Sequence, residues 1–488
     1  MRNIDQNIFK SYDIRGIYPG QINEEAAYGI GRAYATWLLA AENAAEAGTE
    51  AGMGDGIVSA STVEKAEKLR VAVGSDMRTS SPALKTKIIS ALLDSGIDVD
   101  DIGMVSTPSF YFATAFYGYS GGIQVSASHN PKEWNGFKIV KSHAIPLSAK
   151  TGIFEIRDII LNEDFSPVAK HGWGVLGKKE NVVMEEIKEQ IDFAGGGRFP
   201  GSAIKKFKIA ADASSGMGAA DMDAIFSNLN CEAVKLNFRP DGNFPAHGAD
   251  PMIAENTAQL RGAVLEGKCD LGIIADGDGD RYFFCDEKGE MIAQDILRGV
   301  LAEIELAENP HAVVAYDIRP GRITKDIIDS HGGKAIITPV GHSLIKAEMI
   351  EHGAVFGGES SGHFFYKLPY GTFEAPAVLI YKLLKFLSAQ GRPVSECFAP
   401  YKKYFSSGEI NMKVAGMEAS LRKIAALKEK FADGKQNLID GLSVEYPDFW
   451  FNLRASNTEP LIRFTLEARS PEIMAQKRDE ILEEIRTA

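Results

Sequence analysis

Residues 70–80 read RVAVGSDMRTS, an apolar run that closes on Asp76 and opens into a loop bearing Arg78 and two hydroxyls. The same arrangement returns at 208–217 as KIAADASSGM and at 312–322 as AVVAYDIRPGR. Each run is followed by a helix-like stretch and then a second apolar strand, near Val99–Val105, Cys231–Leu236 and Ala335–Thr338. Strand–helix–strand alternation builds parallel sheets with ligand loops at the carboxyl ends of the strands. The repetition implies three related α/β domains with mixed, mostly parallel sheets.

The final stretch has a different rhythm. Met417, Leu421, Ile424, Leu427 and Phe431 fall on one helical face. A hairpin pattern follows, Phe449–Leu453, a polar loop, then Leu461–Ala468 with Ile462, Phe464 and Leu466 alternating. Ser470-Pro471, an N-cap before a first-turn proline, starts a closing helix. This predicts a smaller C-terminal α+β domain. Breaks near 175–180, 288–292 and 400–405 divide the chain into domains at 1–177, 178–290, 291–402 and 403–488. Ala41–Ser61, rich in Ala, Gly and Glu, and glycine-rich Ala194–Gly201 read as connectors without chemistry.

Bulk properties bound the function. At 488 residues the chain exceeds what one core supports, and 45% hydrophobic with 24% charged residues is ordinary for a soluble protein. The formal charge of −13, from 53 basic and 66 acidic residues, argues against nucleic acid or an anionic membrane as partner. The four cysteines are widely spaced and form no CxxC, as expected of reduced thiols in a cytoplasmic protein. The first residues lack an apolar signal core, and no run of about 18 apolar residues occurs.

Four loops carry chemistry. In Val125-Ser126-Ala127-Ser128-His129-Asn130-Pro131, Ser128 is a candidate nucleophile or phosphate carrier, with His129 beside it and Lys138 just beyond as charge partner or proton shuttle. An adjacent Ser-His pair does not make a triad, which is defined in space. In Asp276-Gly277-Asp278-Gly279-Asp280-Arg281, glycines let three carboxylates converge as hard oxygen ligands for Mg²⁺ or Ca²⁺. An EF-hand is excluded because Arg281 stands where that loop needs glycine and the flanks are strand-like. In Gly357-Gly358-Glu359-Ser360-Ser361-Gly362-His363, low backbone presents Glu359, Ser361 and His363 to sugar hydroxyls. In Arg454-Ala455-Ser456-Asn457-Thr458-Glu459-Pro460, the guanidinium, hydroxyls, amide and exposed N–H groups form an anion cradle, with Arg463 close by. Gly216-Met217-Gly218 lacks the third glycine of a dinucleotide fingerprint, no P-loop occurs, and the histidines show no zinc spacing.

SASHNP, DGDGDR, GGESSGH and RASNTEP, in this order and at domain-scale spacing, closely resemble the α-D-phosphohexomutase family over nearly the whole chain. FKSYDIRG at 9–16 and TPVGHSLIK at 338–346 are similar to it too. Asn457, where the phosphoglucosamine mutase branch usually carries glycine, favours the phosphomannomutase/phosphoglucomutase branch. The resemblance implies four domains around a central cleft and a monomer or weak dimer acting on hexose phosphates. It implies Ser128 as the phosphoserine, and one Mg²⁺ held by Asp276, Asp278, Asp280 and an oxygen of the phosphoserine. Glu359 and Ser361 would bind sugar hydroxyls, and Arg454, Ser456, Asn457 and Thr458 the non-transferred phosphate. Tyr12, Arg15, Lys138, Arg281 and His342 would line the transfer site, and a hexose 1,6-bisphosphate would be both intermediate and activator. Two departures stand out: Arg319 replaces the branch's usual lysine, and Ala41–Lys65 resembles an insertion.

Three rival readings compete. Ile273–Gly279 fits a strand followed by DxDG, the pattern of a haloacid-dehalogenase-type phosphatase with Asp276 as nucleophile, although Asp280 stands where that pattern wants Thr or Val. A phosphoglucosamine mutase and a non-catalytic sugar-phosphate sensor are the others.

Overall fold

The computed structural model describes residues 4–50, 68–167, 173–195, 197, 203–319, 321–456 and 460–487. They form two compact units, 1–282 with 368–381, and 283–367 with 382–488.

The first unit holds two sheets. The larger runs in the order Ile14–Ile17, Trp134–Lys141, Gly121–Val125, Arg70–Ser75, Asp98–Met104, Leu176–Lys178. Its heart is parallel, Arg70–Ser75 pairing with Asp98–Met104 and with Gly121–Val125, while Trp134–Lys141 turns back antiparallel. Val71, Ala72 and Val73 are fully buried, since helices cover both faces and leave no reason for polar alternation. Ile30, Ala33, Tyr34 and Leu38 of the helix Glu24–Glu50 pack into this core with Leu84, Ile88 and Leu92 of Ser81–Asp94. The smaller sheet carries Leu271–Ala275, Phe207–Asp212 and Cys231–Leu236, all parallel.

In the second unit Val313–Asp317 pairs in parallel with Lys334–Thr338 and Phe356–Gly358, and Phe364–Leu368 is antiparallel to the latter. The C-terminal sheet is antiparallel throughout, ordered Phe405–Lys413, Leu461–Ala468, Phe449–Ala455, Leu442–Glu445, Lys435–Asn437. Ile462, Phe464 and Leu466 point from it into a core shared with Leu427, Ile481 and Ile485. Ser470 Oγ accepts from the Ile473 N–H and starts the last helix, Pro471–Thr487. Three related α/β folds and a C-terminal α+β fold are thus present.

One expectation needs correction. Residues 41–50 are not a connector but continue the helix Glu24–Glu50. Ala and Glu are strong helix formers, and a nucleated helix extends without an apolar stripe. The remainder of Ala41–Lys65, from 51 on, lies outside the described residues, as do 196 and 198–201 of the second connector. The stripe on Met417–Lys430 is only half used: Leu427 is buried, but Met417 and Leu421 are exposed. Periodicity locates a face without saying how much of it finds a partner.

All four cysteines are free thiols. No helix among the described residues is long and apolar enough to cross a membrane.

Candidate functional site

Parallel strands deliver their loops to one edge of a sheet, and two such loops meet in the first unit. One leaves Gly121–Val125 and carries Ser126 to Pro131; the other leaves Leu271–Ala275 and carries Asp276 to Arg281. Ser128 sits in the left-handed region at φ +52° and is 2% exposed. A non-glycine residue there costs on the order of 1 kcal/mol and persists only when its surroundings over-determine it.

Arg78 supplies that constraint. Its fully buried guanidinium donates to the carbonyls of Ser128 and Asn130, at 2.7 Å each, and of Pro131 and Trp134, at 2.8 and 3.0 Å. Asp76 balances the charge at 3.2 Å. Arg15 braces the same loop, reaching Asn130 Oδ1 at 2.7 Å while paired with Asp13 at 2.6 Å. Replacing Arg78 with Met takes a donor from four carbonyls, of which Pro131 keeps the Trp134 N–H, and takes the counter-charge from buried Asp76, which keeps the Ser81 hydroxyl. Urea unfolding of Arg78→Met is expected to show a loss of about 3–5 kcal/mol, the usual cost of breaking a buried ion pair.

The Ser128 hydroxyl lies 3.2 Å from His129 Nδ1 and 3.3 Å from Asp276 Oδ2. Asp276 also accepts from Arg281 Nε at 2.8 Å and, on its other oxygen, from the N–H groups of Gly279 and Arg281. Gly279 takes φ +76°, the turn that folds the loop back on itself. Lys138 Nζ bridges Asp278 Oδ2 and Asp280 Oδ2 at 2.6 Å each. Oxygens of Asp276, Asp278 and Asp280 lie within 4.8 Å of one another. Arg281 reaches Asp250 at 3.4 Å with Nη1.

Burial dominates the electrostatics here. It pushes the Asp276 carboxyl up to about 7 against the pull of Arg281. Burial and Asp280 push Asp278 up as well, yet Lys138 together with the Thr107 hydroxyl leaves it below the usual carboxylate range. Burial alone would depress Lys138, but Asp278 and Asp280 hold it well above its ordinary value. Lys138 and Arg281 touch the three buried carboxylates, and Arg15 and Arg78 act on Asp278 from further off. Asp278 Oδ1 is buried and has no hydrogen-bond partner among the described residues. Hard oxygens with an unsatisfied acceptor fit Mg²⁺.

In the second unit the remaining candidates fall into two groups. Glu359 accepts from the Gly341 N–H at 2.8 Å and approaches His363 Nδ1 at 3.2 Å and Ser361 Oγ at 3.4 Å. Arg319 shares Asp317 with the buried Arg298 and reaches Glu359 at 3.8 Å. The His342 and His363 rings stand 5.9 Å apart. Arg454 and Arg463 converge on Glu409 at 2.6 and 3.0 Å, and Ser456 is buried at the hairpin end. Asn457 and Thr458 lie outside the described residues. Tyr12 is half-buried ahead of the strand Ile14–Ile17.

Sequence reasoning noted Arg78 only as part of its loop, and missed Arg298, Glu409 and Thr107, whose hydroxyl donates to Asp278 Oδ2 at 2.6 Å. Arg78 and Arg298 are buried cations, a rare placement that only tertiary contact reveals. Glu409 sits on a strand whose polar pattern is ordinary.

Comparison with known proteins fits this geometry. Four profiles described as phosphoglucomutase/phosphomannomutase, alpha/beta/alpha domains I, II and III and C-terminal domain, match residues 51–167, 184–289, 294–404 and 409–484. A phosphomannomutase of Methanocaldococcus jannaschii is 36% identical over 98% of this chain and 97% of its own. The crystal structure of a phosphoglucomutase/phosphomannomutase family protein from Burkholderia thailandensis superposes with a TM-score of 0.83 at 30% identity, covering 99% and 98% of the two chains. An Aspergillus fumigatus N-acetylphosphoglucosamine mutase, solved with GlcNAc-6P and magnesium, shares the fold at TM-score 0.55 and 16% identity, over 78% of this chain and 91% of its own.

Proposed function

The chain belongs to the phosphoglucomutase/phosphomannomutase family and is a phosphohexose mutase, an isomerase; we propose that it exchanges a phosphoryl group between O1 and O6 of mannose or glucose through phosphorylated Ser128. The observation that carries this reading is the Ser128 hydroxyl held 3.3 Å from the first of three converging carboxylates.

Phosphoryl transfer needs in-line positioning and neutralised charge. The phosphorylated serine gives its group to a hydroxyl of the bound hexose phosphate: the Oγ–P bond breaks, a sugar O–P bond forms, the sugar hydroxyl gives up its proton and the freed Ser128 Oγ takes one up. The product is a hexose 1,6-bisphosphate. Once it presents its other phosphate to Ser128, the reverse transfer regenerates phosphoserine and releases the isomer. Lys138 on Asp278 and Asp280, Arg281 on Asp276 and Arg15 on Asn130 bring positive charge to the loops of the transfer, and His129 Nδ1, 3.2 Å from Oγ, is placed to hold a proton there. Asp276, Asp278 and Asp280 would hold Mg²⁺, which when bound supplies positive charge to the transferring group. In the second unit Glu359, Ser361 and His363 suit sugar hydroxyls, and Arg454, Ser456 and Arg463, with Asn457 and Thr458, suit the phosphate that stays. Arg319 keeps the charge of a lysine but adds a planar fork locked to Asp317.

The test is a coupled assay on mannose, glucose and glucosamine 1-phosphates, with and without glucose 1,6-bisphosphate, beside peptide mapping of the phosphate. Turnover of mannose or glucose phosphate, dependent on bisphosphate and with phosphate on Ser128, is the expected result. Preference for the glucosamine ester would move the chain to the other branch.

Gly277 gives a further check. A Cβ there would stand 2.6 Å from the Ser128 carbonyl oxygen, so Gly277→Ala must push the acidic loop away from the serine loop. Steady-state kinetics of that variant should show kcat down about 100-fold or more, the usual effect of a misplacement near 1 Å.

A further inference from the structure

We propose that Thr107 is a positioning residue that aims Oδ1 of Asp278 at the metal ion; the inference rests on the mutase reading for the ion's role in turnover, though not for its binding. Thr107 is the first residue of the helix Thr107–Phe116 and is completely buried. First-turn N–H groups have no partner inside their own helix. Ser106 serves this helix by accepting from the Ser109 N–H, so capping does not occupy the Thr107 hydroxyl.

Thr107 instead holds Asp278 twice. Its N–H donates to the Asp278 carbonyl at 2.9 Å, and its hydroxyl donates to Asp278 Oδ2 at 2.6 Å. Lys138 donates to the same Oδ2 at 2.6 Å. Both donors thus gather on one oxygen and fix the carboxylate plane. The other oxygen, Oδ1, is buried without a hydrogen-bond partner among the described residues, an arrangement that is costly unless a cation takes it. The hydroxyl, which serine shares, is the group that acts.

The experiment is calorimetric titration of Mg²⁺ into purified full-length wild type, Thr107→Val and Thr107→Ser, with Mn²⁺ paramagnetic resonance as a second readout and thermal unfolding without metal as the check on folding. Valine keeps the shape and removes the donor. Thr107→Val should bind Mg²⁺ about 10–100-fold more weakly, the typical cost of losing a partner behind a metal ligand. The Mg²⁺ needed for half-maximal turnover should rise by the same factor while kcat at saturating Mg²⁺ stays within about twofold, since a misaimed but occupied site still works. Thr107→Ser should restore wild-type affinity. Unchanged Mg²⁺ affinity in the valine variant overturns the proposal. So does a serine variant as weak as valine, which would make the methyl group and not the hydroxyl responsible, and this arm decides the matter if valine fails to fold. Absence of hexose-phosphate turnover in wild type, with the affinity difference intact, would instead overturn the mutase reading.

Discussion

Ser128→Ala should abolish mutase activity, with kcat down by about 10⁴-fold or more, because it removes the group that forms the covalent intermediate rather than one that assists it. The loop should survive the change. Its shape is held by Arg78 through the backbone carbonyls of Ser128, Asn130, Pro131 and Trp134, none of which the substitution touches. The variant should therefore unfold at nearly the wild-type denaturant concentration while intact mass shows no phosphate. Retained turnover in Ser128→Ala would remove the phosphoserine from the mechanism, whatever its structural neighbours.

Stripping the divalent ion should come second in size. Chelation by EDTA is expected to lower kcat by about 10³-fold, since a metal contributes several kcal/mol to a developing phosphoryl charge and each 1.36 kcal/mol is a decade. Added Mg²⁺ should restore the rate. Asp278→Asn should not be rescued by Mg²⁺ at ordinary concentrations, because it weakens the ligand and also takes a counter-charge from Lys138. Activity that survives both chelation and Asp278→Asn would mean that Lys138, 2.6 Å from two of the carboxylates, neutralises the site alone.

What the residue string disclosed was the chemistry that needs neighbours in sequence. Three aspartates separated by glycines announce their convergence because glycine lets the backbone between them curl tightly enough to bring them together. The repeated strand ending in Asp76, Asp212 and Asp317 disclosed the α/β repetition for a similar reason, since a strand's burial is written in contiguous residues. Contacts across long separations left no such trace. Thr107 meets Asp278 171 positions away, and Arg78 reaches carbonyls about 50 residues on. Ser106-Thr107-Pro108 does mark a helix start, and Pro108 in the first turn is a legible signal, yet nothing local names the partner. The helix Met417–Lys430 shows the opposite failure: its period was plain, but Met417 and Leu421 have no core to enter.

Lys138 is shared between Asp278 and Asp280, and this constrains how the protein can change over generations. A neutral residue at 138 strands two buried anions, while a neutral residue at 278 or 280 leaves the ammonium half-compensated. Each single step out of this trio is a loss, so descendants should alter these positions together or keep all of them, and an exposed pair such as Lys178–Glu180 is free to wander one side at a time.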